Sequence, residues 1–159
     1  MTADTITPLE PRKFFSGIWR GEGELVPSRL HSLFISREKI RFQSRPVWLS
    51  ETIWKVEESF EFSSGKSIAR KMFAELVAPD KIHITADDMP QGANITLHEK
   101  GFTFAPYYIL GDFGGRLWQL RCLDDNRLDE NGIIHDKIEM FYIGLRIAEI
   151  KLTVTIERS

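Results

Sequence analysis

The chain has 159 residues, 42% of them hydrophobic and 28% charged. That length suits one domain with a sizeable core, and the composition excludes disordered, collagenous and helical membrane classes. A net charge of −2 supplies no basic field for a phosphate backbone, so no nucleic-acid partner is expected.

The N-terminal stretch MTADTITPLEPRK lacks a basic start followed by an apolar run, and no later stretch approaches the ~20 apolar residues of a membrane span. The expected location is the cytoplasm. We divide the chain into a flexible tail over 1–11 and a single domain over 12–159, which opens on one short helical turn in PRKFFSG. Strands are predicted over 17–26, 38–45, 47–62, 67–77, 81–86, 93–98, 101–105, 116–123, 133–143 and 147–157. Each is rich in β-branched or aromatic residues and bounded by Gly, Pro, Asp or Asn.

The last strand has one dry and one wet face, since Ala148, Ile150, Leu152, Val154 and Ile156 alternate with Glu149, Lys151, Thr153, Thr155 and Glu157. Strands joined by short turns pair antiparallel, because parallel neighbours need long crossovers. Such a sheet folds over as a sandwich or closes as a barrel, and closure removes its exposed edges. Two longer connections, 26–38 and 123–132, read as turn-rich loops. The first carries Leu33, Phe34 and Ile35 and is predicted to fold over an opening of the barrel.

The hairpin over 57–72, EESFEFSSGKSIARKM, turns at Ser63-Ser64-Gly65. Its apolar face reads Trp54, Val56, Glu58, Phe60, Phe62 on one arm and Ile68, Arg70, Met72, Ala74, Leu76 on the other. Pairing around the loop sets Glu58 opposite Arg70, an acid and a base where only oily side chains are expected. An isolated charge in a dry interior is prohibitive, whereas a hydrogen-bonded Arg–carboxylate pair is tolerable. The pair could lock hairpin register, anchor the polar end of a ligand, or let Glu58 work as an acid/base.

Other motifs resolve to plainer roles. Cys122 alternates with Leu120 and Trp118 and reads as a buried core thiol. His31, His83, His98 and His135 lack the spacing of a metal pair, and no metal site is expected. Asp87 and Asp88 read as turn and capping residues beside Pro90 and Gly92. Asp136 shares a face with Ile134, Ile138, Met140 and Tyr142, so it either enters the interior or sits in water at a strand end. DDNRLDENG does not match a calcium loop, and Gly21-Glu22-Gly23 is no phosphate cradle, because acids flank it and no helix follows. GFTFAPYYILGDFGG crowds five rings beside a proline and late glycines, the composition of a pocket mouth, which nominates Tyr107 and Tyr108.

In FSGIWRGEGEL, Gly17, Trp19, Gly21 and Gly23 share one face of the first strand, marking a sharp bend or a close backbone approach. This Gly-x-Trp, with Arg158 near the end of the chain, resembles the lipocalin and calycin proteins, whose late Arg packs across that Trp. A broader likeness over residues 48 to 157 is similar to a bacterial family of calycin-like barrels with no assigned chemistry. The GIWRGEGE start is also similar to nitrobindin-type haem barrels, which take an axial His from near the chain end. No histidine follows His135 here, and no cofactor is expected.

The expected architecture is therefore all-β: a single antiparallel calycin-like (lipocalin-like) barrel of about 8–10 strands. Its expected function is binding of a small apolar or amphipathic molecule inside the barrel, with the polar end held by Glu58 and Arg70. Trp54, Phe60, Met72 and Trp118 would form the walls, with Tyr107, Tyr108 and Tyr142 as further ligand-binding candidates. The alternatives are an isomerase, cyclase or dehydratase using Glu58 as acid/base, or a structural barrel for protein interaction. Oligomeric state is left open, a homodimer included.

Overall fold

The computed structural model describes residues 6–113 and 115–158. A four-residue helix, α1 (Pro11–Phe14), starts on a proline whose missing N–H costs nothing at that position. Eleven strands follow: β1 (Ile18–Pro27), β2 (Glu38–Trp48), β3 (Ile53–Phe62), β4 (Ser67–Ala78), β5 (Lys81–Ala86), β6 (Met89–His98), β7 (Gly101–Phe104), β8 (Tyr107–Phe113), β9 (Arg116–Leu128), β10 (Ile134–Tyr142) and β11 (Leu145–Glu157). A 3-10 turn, His31–Leu33, lies in the β1–β2 connection.

The sheet runs β10-β11-β1-β2-β3-β4-β5-β6-β7-β9, and β10 pairs back onto β9, which closes it into a ring. Every pairing is antiparallel. Strands β7 and β8 lie end to end along β9, with Gly101–Thr103 opposite Asp125–Arg127 and Tyr107–Phe113 opposite Arg116–Cys122. The eleven strands therefore fill ten positions around the wall, in agreement with the expected all-β barrel and its short helical turn.

Three boundaries differ from the sequence reading. The β2–β3 turn falls at 49–52, closed by Leu49 and Ser50 amides donating to the Ile53 carbonyl, and Pro46 lies within β2. The supposed mouth segment PYYILGD is largely strand β8. The supposed loop at 123–132 is strand as far as Leu128, because its acids and amides alternate between a wet face and the interior, where they find one another. Its real turn is at Asp129, whose side chain accepts from the Asn131 and Ile133 amides.

Strand alternation and turn order give the barrel two unlike ends. At one, α1 inserts Phe14 and Phe15 beneath the sheet. Phe15 stacks on Trp19 and Trp54, both at 5.5 Å, while Phe14 meets Trp19 edge-on at 5.4 Å. The Trp48 indole donates to the Phe15 carbonyl at 2.7 Å. Arg158 ties this plug to the end of β11 by donating to the Ser16 hydroxyl and to backbone carbonyls of Lys13 and Phe14. The ring across Trp19 is thus Phe15, while Arg158 grips the backbone of the plug. The expected tail over 1–11 falls partly outside the described residues, and within it Pro8 is buried.

The other end gathers the β1–β2, β3–β4, β5–β6, β8–β9 and β10–β11 turns. The 26–38 connection does reach the opening, where Phe34, Ile35 and Ser36 border the mouth, but only Ile35 packs on the core, and Leu33 and Phe34 are 82% and 84% exposed. Three consecutive residues around one 3-10 turn cannot all face the same side. Among the described residues, no helix is long and apolar enough to cross a membrane.

Candidate functional site

Inside the barrel lies a cavity of about 120 Å³, walled by Trp19, Trp54, Phe60, Met72 and Phe102 among others. It gives onto a wider mouth of about 1140 Å³, and Glu58, Phe60, Arg70, Tyr107 and Ile138 border both. The oily faces of ten strand positions meet here, so each polar side chain in this space needs a local reason to be there.

The β3–β4 register sets Glu58 opposite Arg70, as the hairpin pattern predicts, and Ser44 of β2 lies on the other side of Glu58. Arg70 NH1 donates to Glu58 Oε2 at 3.4 Å. The shorter contacts of Arg70 go elsewhere: NH2 donates to Asp88 Oδ1 at 3.1 Å, and Nε lies 2.8 Å from Asp88 Oδ2 as an ion contact without hydrogen-bond alignment. Asp88, read from sequence as a turn residue, is therefore the principal partner of Arg70. It can be so because the β5–β6 turn folds its carboxylate back over the mouth. Burial raises the pKa of Glu58 against the pull of Arg70, and Asp124 and Asp88 add to that rise. Burial works against the charge of Arg70, but Glu58 and Asp88 more than offset it and hold the guanidinium protonated.

A second polar group faces the cavity from β8, β9 and β10. Tyr107 Oη donates to Asp124 Oδ2 at 3.0 Å, and Asn126 Nδ2 donates to Asp124 Oδ1 at 2.8 Å. Asp136 is hydrogen-bonded to Asp124, two carboxyl groups sharing one proton. Burial raises Asp136 well above the ordinary carboxylate range, and the neighbouring Asp124 charge raises it further. Burial raises Asp124 too, but bonds from Asp136, Tyr107 and Asn126 counter it, so the proton rests on Asp136 and the charge on Asp124. Asp136 Oδ1 is buried without a hydrogen-bond partner. Of the two positions the sequence left open for Asp136, the structure shows the interior.

The nominated residues divide. Trp54, Glu58, Phe60, Arg70, Met72 and Tyr107 border the cavity together. Tyr108, one residue out of phase on β8, is half-buried on the other face of that strand. Trp118 and Tyr142 pack edge to face at 4.8 Å and border neither cavity nor mouth. Sequence reasoning missed Asp88, Asp124 and Asn126. Only alternation within LDDNRL could have exposed the last two, since Asp124 and Asn126 continue the inward phase of Leu120 and Cys122.

Cys122 is fully buried, and burial with the nearby Asp124 charge pushes its thiol up to about 12, which removes it as a nucleophile. No histidine borders the cavity. His31, His83, His98 and His135 bond instead to Ser28, Asn94, Thr103 and Asp129. Among the described residues, no three His, Cys, Asp or Glu side chains are placed to hold a metal ion.

No family model and no curated protein matches the sequence. Solved structures do match the fold. The S-type phycobiliprotein lyase CPES from Guillardia theta superposes with a TM-score of 0.66 at 8% identity, over 97% of this chain and 94% of that one. Rv2717c from M. tuberculosis matches with a TM-score of 0.65 at 10% identity, over 98% of this chain and 100% of its own. A protein of unknown function from the DUF3598 family of Nostoc punctiforme matches with a TM-score of 0.59 at 14% identity. That match covers 91% of this chain but only 48% of the other. At these identities the likeness is one of architecture. Together with the ten-position ring and its aromatic plug, it identifies the fold as a calycin-like β-barrel.

Proposed function

We propose that this barrel binds a small amphipathic molecule, with the apolar part against Trp54, Phe60 and Met72 and the polar end at the buried charges around Glu58 and Arg70. The carrying observation is that a ring-lined space of about 120 Å³ inside the barrel contains ionisable groups and borders the mouth. A core built for stability alone is filled by side chains and avoids buried charge, whereas a ligand site is an apolar concavity with a few convergent polar groups. The architectural likeness to a phycobiliprotein lyase agrees with this reading.

Native mass spectrometry of the protein as purified tests it. A retained small molecule, lost or weakened in Glu58→Gln and Arg70→Met, is the expected result. A clean apo mass, with no thermal shift from any member of a panel of amphipathic probes, overturns it.

A catalytic reading is favoured by one further observation, the proton shared by Asp124 and Asp136 beside the raised Glu58. Carboxyl groups raised above their ordinary range can donate and retrieve protons. In that case a molecule captured by Glu58→Gln or Asp136→Asn would differ in mass from the one captured by the unaltered protein. Identical captured masses speak for a carrier.

A further inference from the structure

The polar head that the interior accepts can be read from its charges and spent hydrogen bonds, given the ligand-binding reading above. The inner cavity is bordered by one cation, Arg70, and three carboxyl groups, Glu58, Asp124 and Asp136, with Asp88 reaching Arg70 from the mouth, whose lining carries charges of both signs, Arg45, Lys66 and Lys71 among them. With protons on both Glu58 and Asp136, Asp88 and Asp124 still outnumber Arg70. The guanidinium is also committed, with NH1 to Glu58 and NH2 and Nε to Asp88. An anionic head would have to break that clamp and then lie beside surplus negative charge.

The acceptors are arranged differently. Asp124 is occupied on both oxygens by Tyr107 and Asn126. Asp136 gives one oxygen to Asp124 and leaves Oδ1 buried on the cavity wall with no partner among the described residues. A buried polar atom of this kind is costly unless something donates to it. The other groups on this wall without a hydrogen bond are Nε of Arg70, held 2.8 Å from Asp88 as an ion contact, and the indole N–H donors of Trp19 and Trp54. The indoles are neutral, belong to the ring stack around Phe15, and bring no charge that would attract an anion.

We infer that the ligand's buried head is a protonated nitrogen that donates to Asp136 Oδ1, and that the barrel selects amphipathic amines over acids of the same shape. The inner cavity takes the head and the first part of an apolar body, and the mouth takes the rest. Desolvation gives the pairing its strength, because a nitrogen cation against a carboxyl in a dry site is held by a charge-assisted bond.

Three probes of equal chain length separate the outcomes: dodecylamine, dodecanol and dodecanoate, titrated calorimetrically into the intact protein below their micelle concentrations. The amine is expected to bind at least about tenfold tighter than the other two. Asp136→Leu, which removes the acceptor, is expected to bring the amine-to-alcohol ratio close to one, and Asp136→Ala serves the same comparison should that variant fail to fold. Binding of dodecanol or dodecanoate as tight as that of the amine overturns the inference and leaves the carrier reading standing. Binding of none of the three defeats the carrier reading and this inference with it. An amine preference untouched by both variants overturns the assignment to Asp136.

Discussion

Arg70 stands opposite Glu58 in the β3–β4 ladder, yet its shorter contacts run to Asp88 on another turn. The sequence showed the first relation because both residues lie in phase with oily neighbours a fixed distance from a recognisable hairpin loop. It hid the second, since the reach of Asp88 depends on how two separate hairpins meet. Asp136 was half legible: its phase pointed inward, but nothing local said that Asp124 would be there to share its proton. That shared proton has a measurable consequence. A carboxyl whose folded pKa is raised stabilises the fold fully below its ordinary value of 3.8 and loses that contribution as pH climbs through the folded value. The groups facing Asp136 are Asp124, Asp125 and Asn126 from β9, Glu58 from β3, Arg70 from β4 and Tyr107 from β8, while β11 offers only Leu152 and Val154. Glu58 is raised as well and acts in the same direction. The melting temperature of the unaltered protein should therefore fall as pH rises above the ordinary carboxylate range. Asp136→Asn, which imitates the protonated acid, should flatten part of that fall. An identical pH profile for the two proteins contradicts the shared proton.

At the scale of elements, β1 shows how a residue pattern becomes a closure. The glycines were legible as a sign of close backbone approach, and the register supplies the approaching strand: Gly23 lies opposite Leu152 of β11. A β-carbon on Gly23 would stand 1.7 Å from the Lys151 carbonyl oxygen and 2.9 Å from the Leu152 Cα. Both are backbone atoms of a paired strand, so neither can swing aside. Gly23→Ala should separate β1 from β11 and cost several kcal/mol, on the order of the largest single-site effects, read as a lower denaturation midpoint in urea. A loss below about 1 kcal/mol would show that the strands yield more easily than this packing implies. Strand β9 shows the opposite case. A run of Asp, Asp and Asn has poor strand propensity and reads as loop, and only pairing with β7 on one side and β10 on the other makes it a wall.

For the whole molecule, the ring of strands was legible from alternation and short turns, while the difference between its two ends was not. The plug end is sealed by stacked rings and by Arg158, whose contacts join residues more than 140 apart in the chain. The mouth end keeps Leu33, Phe34, Leu117 and Ile143 exposed around the charged cluster. One element sets the weakest line in the wall. Strand β8 has a ladder with β9 alone, and toward the β5–β6 turn it has the Leu110 amide donating to the Asp88 carbonyl at 2.8 Å. Hydrogen–deuterium exchange should accordingly find the Tyr107–Leu110 amides less protected than those of β1 or β11, which are laddered on both sides. Equal protection would remove the weakness.

The backbone oxygen that pins this seam belongs to the residue whose carboxylate clasps Arg70. Unzipping one side of the barrel therefore slackens its ionic clasp in the same movement, so that a sideways passage for cargo and the relaxation of the grip on its head would be a single mechanical event.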